Sequence, residues 1–291
     1  MVFVFPGQGS QRQGMGRELF DRVPEYLAIE SQVDDLLGYS LRRLCLQGPK
    51  AQLNHTRYTQ PCLYTVNALY YFDALSQNKQ PHFAAGHSLG EYNALLCAGV
   101  FDFFTGLKLV HKRADLMAQA TQGAMAAIIA LDAAQISRVL TSEGFDSIDI
   151  ANYNSPSQIV ISGTTTQIEA ALVPLKKAGA SKVVRLPVSG AFHSKMMKSA
   201  ASNFGRYAAQ FEFNSPTIPV IANVTGTPYP QNQPQETLVS LLTRQLYSPV
   251  KWHDSIRYLV EEGQNEFEEI GPGQGLTRLI NQTRLQHLLL C

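Results

Sequence analysis

The chain has 291 residues, of which 45% are hydrophobic and 16% are charged, below the roughly 25% of charged residues in an average soluble chain. This composition excludes a disordered chain, and at roughly 150 residues per domain the length allows one large domain or two linked lobes. Lys and Arg total 24 against 23 Asp and Glu, which gives a net charge of +1, and no basic run is long enough to follow a phosphate backbone. We therefore expect no nucleic-acid partner.

Cysteine spacing and the first residues predict the compartment. The four cysteines lack Cys-x-x-Cys spacing, which favours reduced thiols in a cytoplasmic protein over a disulfide or zinc framework. No apolar window reaches the roughly 18 residues of a membrane span, and Met1 to Phe5 runs into a Pro-Gly turn without the basic segment or the small-residue cleavage site of a signal peptide. We expect no metal and no membrane partner. The cysteines are Cys45, Cys62, Cys97 and Cys291.

The first part of the chain predicts strand-helix units. Val2 to Phe5 is a short apolar run that ends at a Pro-Gly turn, which is typical of a buried strand. A buried helix is predicted over residues 60–76, with Pro61 in its first turn. Phe83 to Gly86 predicts a second strand, followed by an apolar helix from Leu89 to Ala98. Several such units imply a mainly parallel sheet.

After Gly123 the pattern changes to the order βαββαβ, which resembles a ferredoxin-like insert. The first pattern resumes after Val188, with a strand from Pro219 to Val224 and a Pro/Gln-rich loop from Gly226 to Gln235. We therefore predict an α/β fold in two subdomains. The large subdomain covers residues 1–121 and 189–291, and the small, ferredoxin-like subdomain covers residues 122–188.

Gly86-His87-Ser88-Leu89-Gly90 fits the pattern Gly-x-Ser-x-Gly between an apolar strand and an apolar helix. The flanking glycines tolerate a strained turn that pushes a serine hydroxyl out of the sheet. The start of the new helix offers the Leu89 N–H to a developing oxyanion. Ser88 is therefore the candidate nucleophile, and the alternative is an ordinary turn with a solvent-facing serine.

A serine nucleophile needs a base, and His193 is the best of the seven histidines. It follows the strand that ends near Val188 and precedes a helix, a position at a strand end like that of Ser88. No third, acidic member stands out. We therefore expect a dyad of Ser88 and His193, with the imidazole oriented by a main-chain carbonyl.

Helical spacing places Arg113 on the apolar half of its helix. An unpaired buried guanidinium would cost on the order of 3 to 5 kcal/mol, so Arg113 needs an anionic partner or a polar cavity. Either a structural Asp or Glu supplies it or a substrate carboxylate does, and spacing alone leaves both open.

The segment from Phe5 to Gln11 is rich in glycine but lacks the Lys-Ser/Thr pair of a phosphate-binding loop. It follows the first strand as Ser88 follows the second, so it could donate a second oxyanion N–H. Gln8 is the residue placed for that role, and the alternative is a plain tight turn.

Together these stretches resemble the malonyl-CoA:acyl carrier protein transacylases, and most closely the discrete, trans-acting acyltransferases of polyketide synthases. The resemblance covers nearly the whole chain and fits an α/β-hydrolase-like large subdomain. The matching stretches are Phe5 to Gln11, Tyr58 to Pro61, Gly86 to Tyr92, Lys112-Arg113 with Met117, Asn154 to Pro156 with Gln158, Ala191 to Ser194, Gln245 to Val250, and Gly271 to Gly273.

The resemblance implies a role for each matching residue. Ser88 takes the acyl group, His193 is the base, and Arg113 binds the malonyl carboxylate. The N–H groups of Gln8 and Leu89 form the oxyanion hole. Further residues are implied in the pocket or beside the base: Gln60, Met117, Phe192 as the malonyl-selecting residue, and Gln245 as the main-chain acceptor that orients the histidine.

The implied reaction uses malonyl-CoA and an acyl carrier protein, or the carrier domains of a polyketide synthase, with no cofactor beyond the phosphopantetheine on the partner. We expect a monomer. One alternative keeps Ser88 and His193 but uses water as acceptor, as an acyl hydrolase that clears carrier proteins; Arg113 argues against it. The other is a non-catalytic docking module on the same fold.

Overall fold

The computed structural model describes residues 1–231 and 235–290, so the predicted Pro/Gln-rich loop lies partly outside the described residues and Cys291 lies wholly outside them. Within the described part, the strands form two sheets of four strands each. The strands are β1 (Val2–Phe5), β2 (Phe83–Gly86), β3 (Gly123–Ile129), β4 (Asp149–Ser155), β5 (Gln158–Thr164), β6 (Lys182–Arg185), β7 (Val220–Ile221) and β8 (Phe267–Glu269).

Helices precede, separate and follow these strands, and a short 3-10 turn covers Lys195–Met197. The helices are α1 (Pro24–Leu27), α2 (Glu30–Leu37), α3 (Leu41–Gln47), α4 (Lys50–Leu53), α5 (Thr56–Ser76), α6 (Gly90–Cys97), α7 (Phe103–Ala118), α8 (Ala133–Ser142), α9 (Thr165–Lys177), α10 (Lys198–Ala208), α11 (Gln235–Gln245), α12 (Trp252–Glu261) and α13 (Gly275–Leu290).

The first sheet has the order β7-β2-β1-β8, and all its pairs are parallel. Every residue of β1 is buried, as expected of an apolar strand with both faces covered. Parallel strands present their carboxyl ends at one edge, so the loops that follow β1, β2 and β7 lie side by side. This edge positions the site described below.

The second sheet has the order β4-β5-β3-β6 and is antiparallel throughout. Helices α8 and α9 cover it, with Ile136, Ile168 and Leu175 buried against the strands in a core of its own. The predicted order βαββαβ after Gly123 is confirmed, as is the α/β class of the chain.

Hydrogen bonds join the second sheet to the rest of the chain. The Tyr153 N–H donates to the Val250 carbonyl at 2.9 Å, and the Val250 N–H donates to the Ala151 carbonyl at 2.9 Å. Strand β4 is thereby held against the segment between α11 and α12.

Two predicted boundaries are wrong. Helix α5 begins at Thr56, so Pro61 lies inside the helix and not in its first turn. Polar residues before Pro61 continue the helix because they are buried with partners; the Thr59 hydroxyl donates to the Leu53 carbonyl at 2.6 Å. The strand predicted from Pro219 to Val224 is reduced to Val220–Ile221, because the main-chain N–H of Asn223 donates to the Glu91 carboxylate and its carbonyl accepts from Lys251, so neither pairs with a neighbouring strand.

Candidate active site

Ser88 lies in the turn between β2 and α6, with φ of 51° in the left-handed region. The flanking glycines make this turn possible. A Cβ on Gly86 would lie 1.9 Å from the Gly90 carbonyl carbon, and a Cβ on Gly90 would lie 2.0 Å from the Phe5 carbonyl oxygen. The Gly-x-Ser-x-Gly pattern therefore reflects close approach of main-chain segments around a strained serine.

His193 lies directly opposite Ser88. Its Nε2 is 2.8 Å from Ser88 Oγ, and its Nδ1 is 2.8 Å from the main-chain carbonyl of Gln245. A carbonyl only accepts, so Nδ1 carries the proton and Nε2 is free to accept the serine proton. His193 also has a left-handed backbone, with φ of 57°, and its N–H donates to the Leu246 carbonyl.

The surroundings of His193 keep its imidazole neutral. Burial, followed by the nearby charge of Arg113, lowers the pKa of His193 from 6.5 to about 3. The neutral ring near pH 7 is the form that can take a proton from a hydroxyl.

Arg113 on α7 is buried, as the helical spacing predicts, with 1% of its surface exposed. Its Nη1 donates to Gln60 Oε1 at 2.6 Å, and its Nη2 donates to Ser88 Oγ at 2.9 Å and to Gln245 Oε1 at 3.0 Å. In the described part of the chain, no carboxylate forms an ion pair with it, and its Nε–H lacks a hydrogen-bond partner. Of the two alternatives left open by the sequence, a direct structural ion pair is thus not observed.

Gln60 and Met117 join Arg113 in one cluster. Gln60 accepts from the guanidinium through Oε1, and its Nε2 donates to Met117 Sδ at 3.4 Å. Both residues are buried. The structure therefore brings together three of the residues predicted for the pocket.

The main chain of Gly7 and Gln8 lies against the Ser88 turn. A Cβ on Gly7 would be 2.3 Å from the His87 carbonyl oxygen and 3.6 Å from the Leu89 nitrogen. Among the described residues, no hydrogen bond uses the N–H of Gln8 or of Leu89. Two free donors are thus close to the serine, while the Gln8 side chain is held by Thr56.

Phe192 is buried, and its ring packs against Gly190, where a Cβ would lie 2.3 Å from the ring. It belongs to the main core cluster of the molecule. Its predicted role in substrate selection stays a prediction.

Two cavities border residues of the site, and Ser88 lines neither of them. One, of about 710 Å³, is lined by Gln8, His87 and the loop from Pro272 to Gly275. The other, of about 510 Å³, is lined by His193, Lys195 and Tyr247. His193 thus borders one cavity, and Gln8 and His87, which lie beside Ser88, border the other.

Sequence reasoning missed Glu91 and Asn223. The Ser88 N–H donates to Asn223 Oδ1 at 2.7 Å, and Asn223 Nδ2 donates to the Gly86 carbonyl at 2.7 Å, so this side chain clamps the turn. Glu91 is the one charged residue of α6 and is 1% exposed. A lone acid in an apolar helix and an asparagine at the end of an apolar strand were the available signals.

Burial raises the pKa of Glu91 from 4.5 to about 7. Hydrogen bonds from Tyr229, Gln245 and the Asn223 N–H, together with the charge of Arg113, lower the pKa but do not cancel the effect of burial. The carboxyl is therefore ionised in a substantial fraction of molecules near pH 7. The ionised form is the one that fits three surrounding donors.

In the part of the chain that the structure describes, no group of three or more His, Cys, Asp or Glu side chains is placed to hold a metal ion. No helix among the described residues is long and apolar enough to cross a bilayer.

Comparison with known proteins defines the class that this fold and site belong to. Residues 2–287 match the family described as the acyl transferase domain, and the chain belongs to that family. The family membership predicted from the sequence motifs is confirmed.

Individual relatives give a more specific comparison than the family does. The chain is 49% identical over 288 residues to the polyketide biosynthesis malonyl CoA-acyl carrier protein transacylase BaeC of Bacillus velezensis, covering 98% of this chain and 96% of the relative. A crystal structure of malonyl CoA-acyl carrier protein transacylase from Burkholderia pseudomallei is similar with a TM-score of 0.91 and 47% identity, over 98% of each chain. A malonyl-transacylase in complex with its type II PKS acyl-carrier protein gives a TM-score of 0.90 and 38% identity, over 97% of this chain and 92% of that chain.

Proposed function

We propose that this chain transfers malonyl groups from malonyl-CoA to the phosphopantetheine thiol of an acyl carrier protein, through an ester on Ser88. The observation that carries the proposal is the position of Ser88 Oγ, 2.8 Å from His193 Nε2 and 2.9 Å from Arg113 Nη2. The nucleophilic oxygen is therefore in hydrogen-bond contact with both a neutral base and a buried cation. The activities in the names of the relatives described above agree with this arrangement.

In the first half-reaction, Ser88 Oγ attacks the thioester carbonyl while His193 Nε2 takes the hydroxyl proton. The N–H groups of Gln8 and Leu89 bind the oxyanion that forms. The C–S bond then breaks, and the imidazolium returns its proton to the CoA thiolate. The products are free CoA and a malonyl ester of Ser88.

Arg113 holds the free carboxylate of the malonyl group during this step. A guanidinium forms two parallel hydrogen bonds with a carboxylate, and this geometry fixes the orientation of the acyl chain. Gln60 and Met117 line the same part of the pocket, where Gln60 orients the guanidinium. A substrate without a carboxylate cannot form these hydrogen bonds with the guanidinium, so malonyl is favoured over acetyl.

The second half-reaction reverses the first with a different thiol. His193 takes the proton of the phosphopantetheine thiol, the thiolate attacks the Ser88 ester, and the proton returns to Ser88 Oγ. The Gln245 carbonyl holds the imidazole through Nδ1 in both directions. His193 carries every proton that moves between Ser88 and the two thiols, so these steps call for no cofactor beyond the phosphopantetheine of the partner.

We place the boundaries of the two subdomains at residues 121/122 and 188/189. The large subdomain, residues 1–121 and 189–291, is α/β-hydrolase-like, which the parallel order β7-β2-β1-β8 supports. The small subdomain, residues 122–188, is ferredoxin-like, which the antiparallel order β4-β5-β3-β6 supports. Substrates then bind in the cleft between them.

The setting of the enzyme is part of the proposal. We place it in the cytoplasm as a monomer, where it supplies malonyl units in trans to a polyketide synthase. The free, buried thiols of Cys45, Cys62 and Cys97 support a reducing compartment. The named relative from Bacillus velezensis supports the polyketide role.

The test is incubation with malonyl-CoA, with and without a carrier protein in its phosphopantetheinylated form, followed by intact-protein mass measurement and peptide mapping. We expect one malonyl group on the peptide that contains Ser88 and none in Ser88→Ala. Addition of the carrier protein should discharge the ester onto its thiol. A label that survives in Ser88→Ala would refute the proposed nucleophile.

The same experiment tests the alternatives. Release of free malonate at saturating carrier protein, at a rate equal to transfer or faster, would identify a hydrolase. No labelling of folded protein by malonyl-CoA would support the non-catalytic docking module. Both outcomes would overturn the proposed transfer reaction.

A further inference from the structure

Glu91 is a buried carboxylate that the proposed reaction does not use. It lies in the first turn of α6, three positions after the nucleophile, and is 1% exposed. Its Oε1 accepts from the Tyr229 hydroxyl at 2.5 Å and the Asn223 N–H at 3.1 Å, and its Oε2 accepts from Gln245 Nε2 at 2.5 Å. All three partners are donors, so this pocket is built for an acceptor-only group.

The contact with Gln245 fixes the direction of that amide. Gln245 Nε2 donates to Glu91 and also to the Ser88 carbonyl at 2.8 Å. Its other end, Oε1, therefore faces Arg113 Nη2, which donates to it at 3.0 Å. If Gln245 were turned over, its amide hydrogens would face the guanidinium and its oxygen would face the serine carbonyl, so both contacts would become repulsive.

In this arrangement the side-chain amide of Gln245 separates the negative charge of Glu91 from the positive charge of Arg113. Arg113 meets the neutral oxygens of Gln60, Gln245 and Ser88, while Glu91 offsets its buried charge from a distance. A carboxylate in direct contact would instead compete with any acidic ligand for the same N–H groups. The Arg113 Nε–H has no hydrogen-bond partner among the described residues, and Nη1 uses one of its two hydrogens, so the guanidinium retains hydrogens to donate.

We propose that Glu91 is a positioning residue, which orients the Gln245 amide so that Arg113 faces a neutral oxygen and stays available for the carboxylate of a dicarboxylic acyl group. This inference rests on the proposed function and deepens it, because it names how the site keeps its preference for a charged acyl substrate. Glu91 does not touch the reacting atoms and acts through Gln245.

The first test is Glu91→Gln, which keeps the size of the side chain. Its oxygen can still accept from Tyr229 and Asn223, but its amide hydrogens then oppose those of Gln245. We expect kcat/KM to fall about 30-fold with malonyl-CoA and about 3-fold with acetyl-CoA, so the malonyl to acetyl ratio falls about 10-fold. A merely structural role would lower both substrates equally and leave the ratio unchanged.

Tyr229→Phe is the matched control. It removes one hydrogen bond to the same carboxylate but leaves the direction of the Gln245 amide intact. We expect its malonyl to acetyl ratio to stay within about 2-fold of the wild-type value. A ratio as low as that of Glu91→Gln would show that any disturbance of Glu91 has the same effect, which would overturn the role of Gln245.

A double variant covers the case in which Glu91→Gln does not fold. In Glu91→Gln/Gln245→Glu the glutamine at position 91 donates to the glutamate at position 245, so this contact is complementary again, while the hydrogen bond to the Ser88 carbonyl is lost. The carboxylate now contacts Arg113 directly. We expect a melting temperature above that of Glu91→Gln, with a malonyl to acetyl ratio at least about 10-fold lower than that of the wild type. A wild-type ratio in this variant would overturn the inference.

Failure of the inference and failure of the proposed function give different results. If wild-type enzyme forms no malonyl ester on Ser88, the proposed function is wrong. If the wild type forms the ester and Glu91→Gln keeps the wild-type malonyl to acetyl ratio, only the role of Glu91 is wrong.

Discussion

The two sheets differ in what their loops carry. The parallel sheet is built from strands of 2 to 4 residues, and the antiparallel sheet from strands of 4 to 7 residues. The short strands end at one edge, where the following loops supply Gln8, Ser88 and Asn223. The longer strands close a separate core and contribute side chains that only border the site. In this molecule the chemistry depends on where strands end, and much less on how long they are.

Arg113→Ala gives the largest expected effect, because it removes the cation from the parallel-sheet side of the cleft. We expect kcat/KM for malonyl-CoA to fall about 100-fold or more, since a hydrogen-bonded ion pair with the substrate is lost, whereas acetyl-CoA loses less than about 10-fold. Steady-state transfer to a carrier protein measures both. Equal losses with a lowered melting temperature would instead indicate a structural role.

The second prediction concerns Phe192, on the segment that leads from the antiparallel sheet to the base. If its ring limits the space beside His193, methylmalonyl-CoA should be poorer than malonyl-CoA by about 10- to 200-fold in kcat/KM. Phe192→Ser should narrow this difference. Comparable values for the two substrates in the wild type would remove Phe192 from substrate selection.

The third prediction uses pH. Glu91 accepts hydrogen bonds from Tyr229, Asn223 and Gln245, and Arg113 lies one amide further away. Burial raises the pKa of Glu91 to about 7 and lowers that of His193 to about 3. Acidification below pH 7 therefore protonates Glu91, which relieves its burial cost but removes the acceptor for Gln245. We expect kcat/KM for malonyl-CoA to fall up to about 10-fold per pH unit below about pH 7.

The same profile measured on Glu91→Gln is the control. With no ionisable group at position 91, its kcat/KM should be low and nearly flat between about pH 5.5 and 7.5, because His193 stays neutral there. An unchanged acid limb in this variant would mean that another group, such as His193, titrates.

The smallest effect is expected on the antiparallel side. Asn154 Oδ1 on β4 accepts a hydrogen bond from His87 Nε2 at 2.8 Å across the cleft, next to the nucleophile but not in contact with it. Asn154→Ala should change kcat/KM by less than about 3-fold, because no bond to Ser88, His193 or Arg113 is lost. A loss comparable to that of Arg113→Ala would show that the two sheets share the chemistry.

Much of the fold could be predicted because apolar runs and glycine turns are local signals. The helices and strands around Ser88, and the order of elements after Gly123, follow from the hydrophobic periodicity of the sequence and from its glycine and proline turns. The start of α5 could not be predicted, since Thr59 and Gln60 are polar residues whose burial depends on partners elsewhere in the chain.

The candidate site was predictable where a side chain sits in an unusual local pattern, as Ser88 and Arg113 do. Spacing also indicated that Arg113 needed an anionic partner or a polar cavity. It could not show that Glu91 would lie one amide away, through Gln245, which is 154 positions further along the chain. Asn223 likewise bonds to Ser88 from 135 positions away. Such contacts depend on tertiary packing and produce no periodic pattern in the sequence.

The acceptor for His193 Nδ1 is the last main-chain carbonyl of α11, at Gln245. A helix end always leaves carbonyls without intrahelical donors, so this one is available whatever side chain the residue carries. Amino-acid replacement at position 245 therefore cannot delete the group that orients the base. A complete mutational scan of the chain would therefore detect the effects of the Gln245 side-chain amide but not those of its main-chain carbonyl. Only a change in the backbone itself, such as an ester in place of the following peptide bond, could weaken that carbonyl as an acceptor.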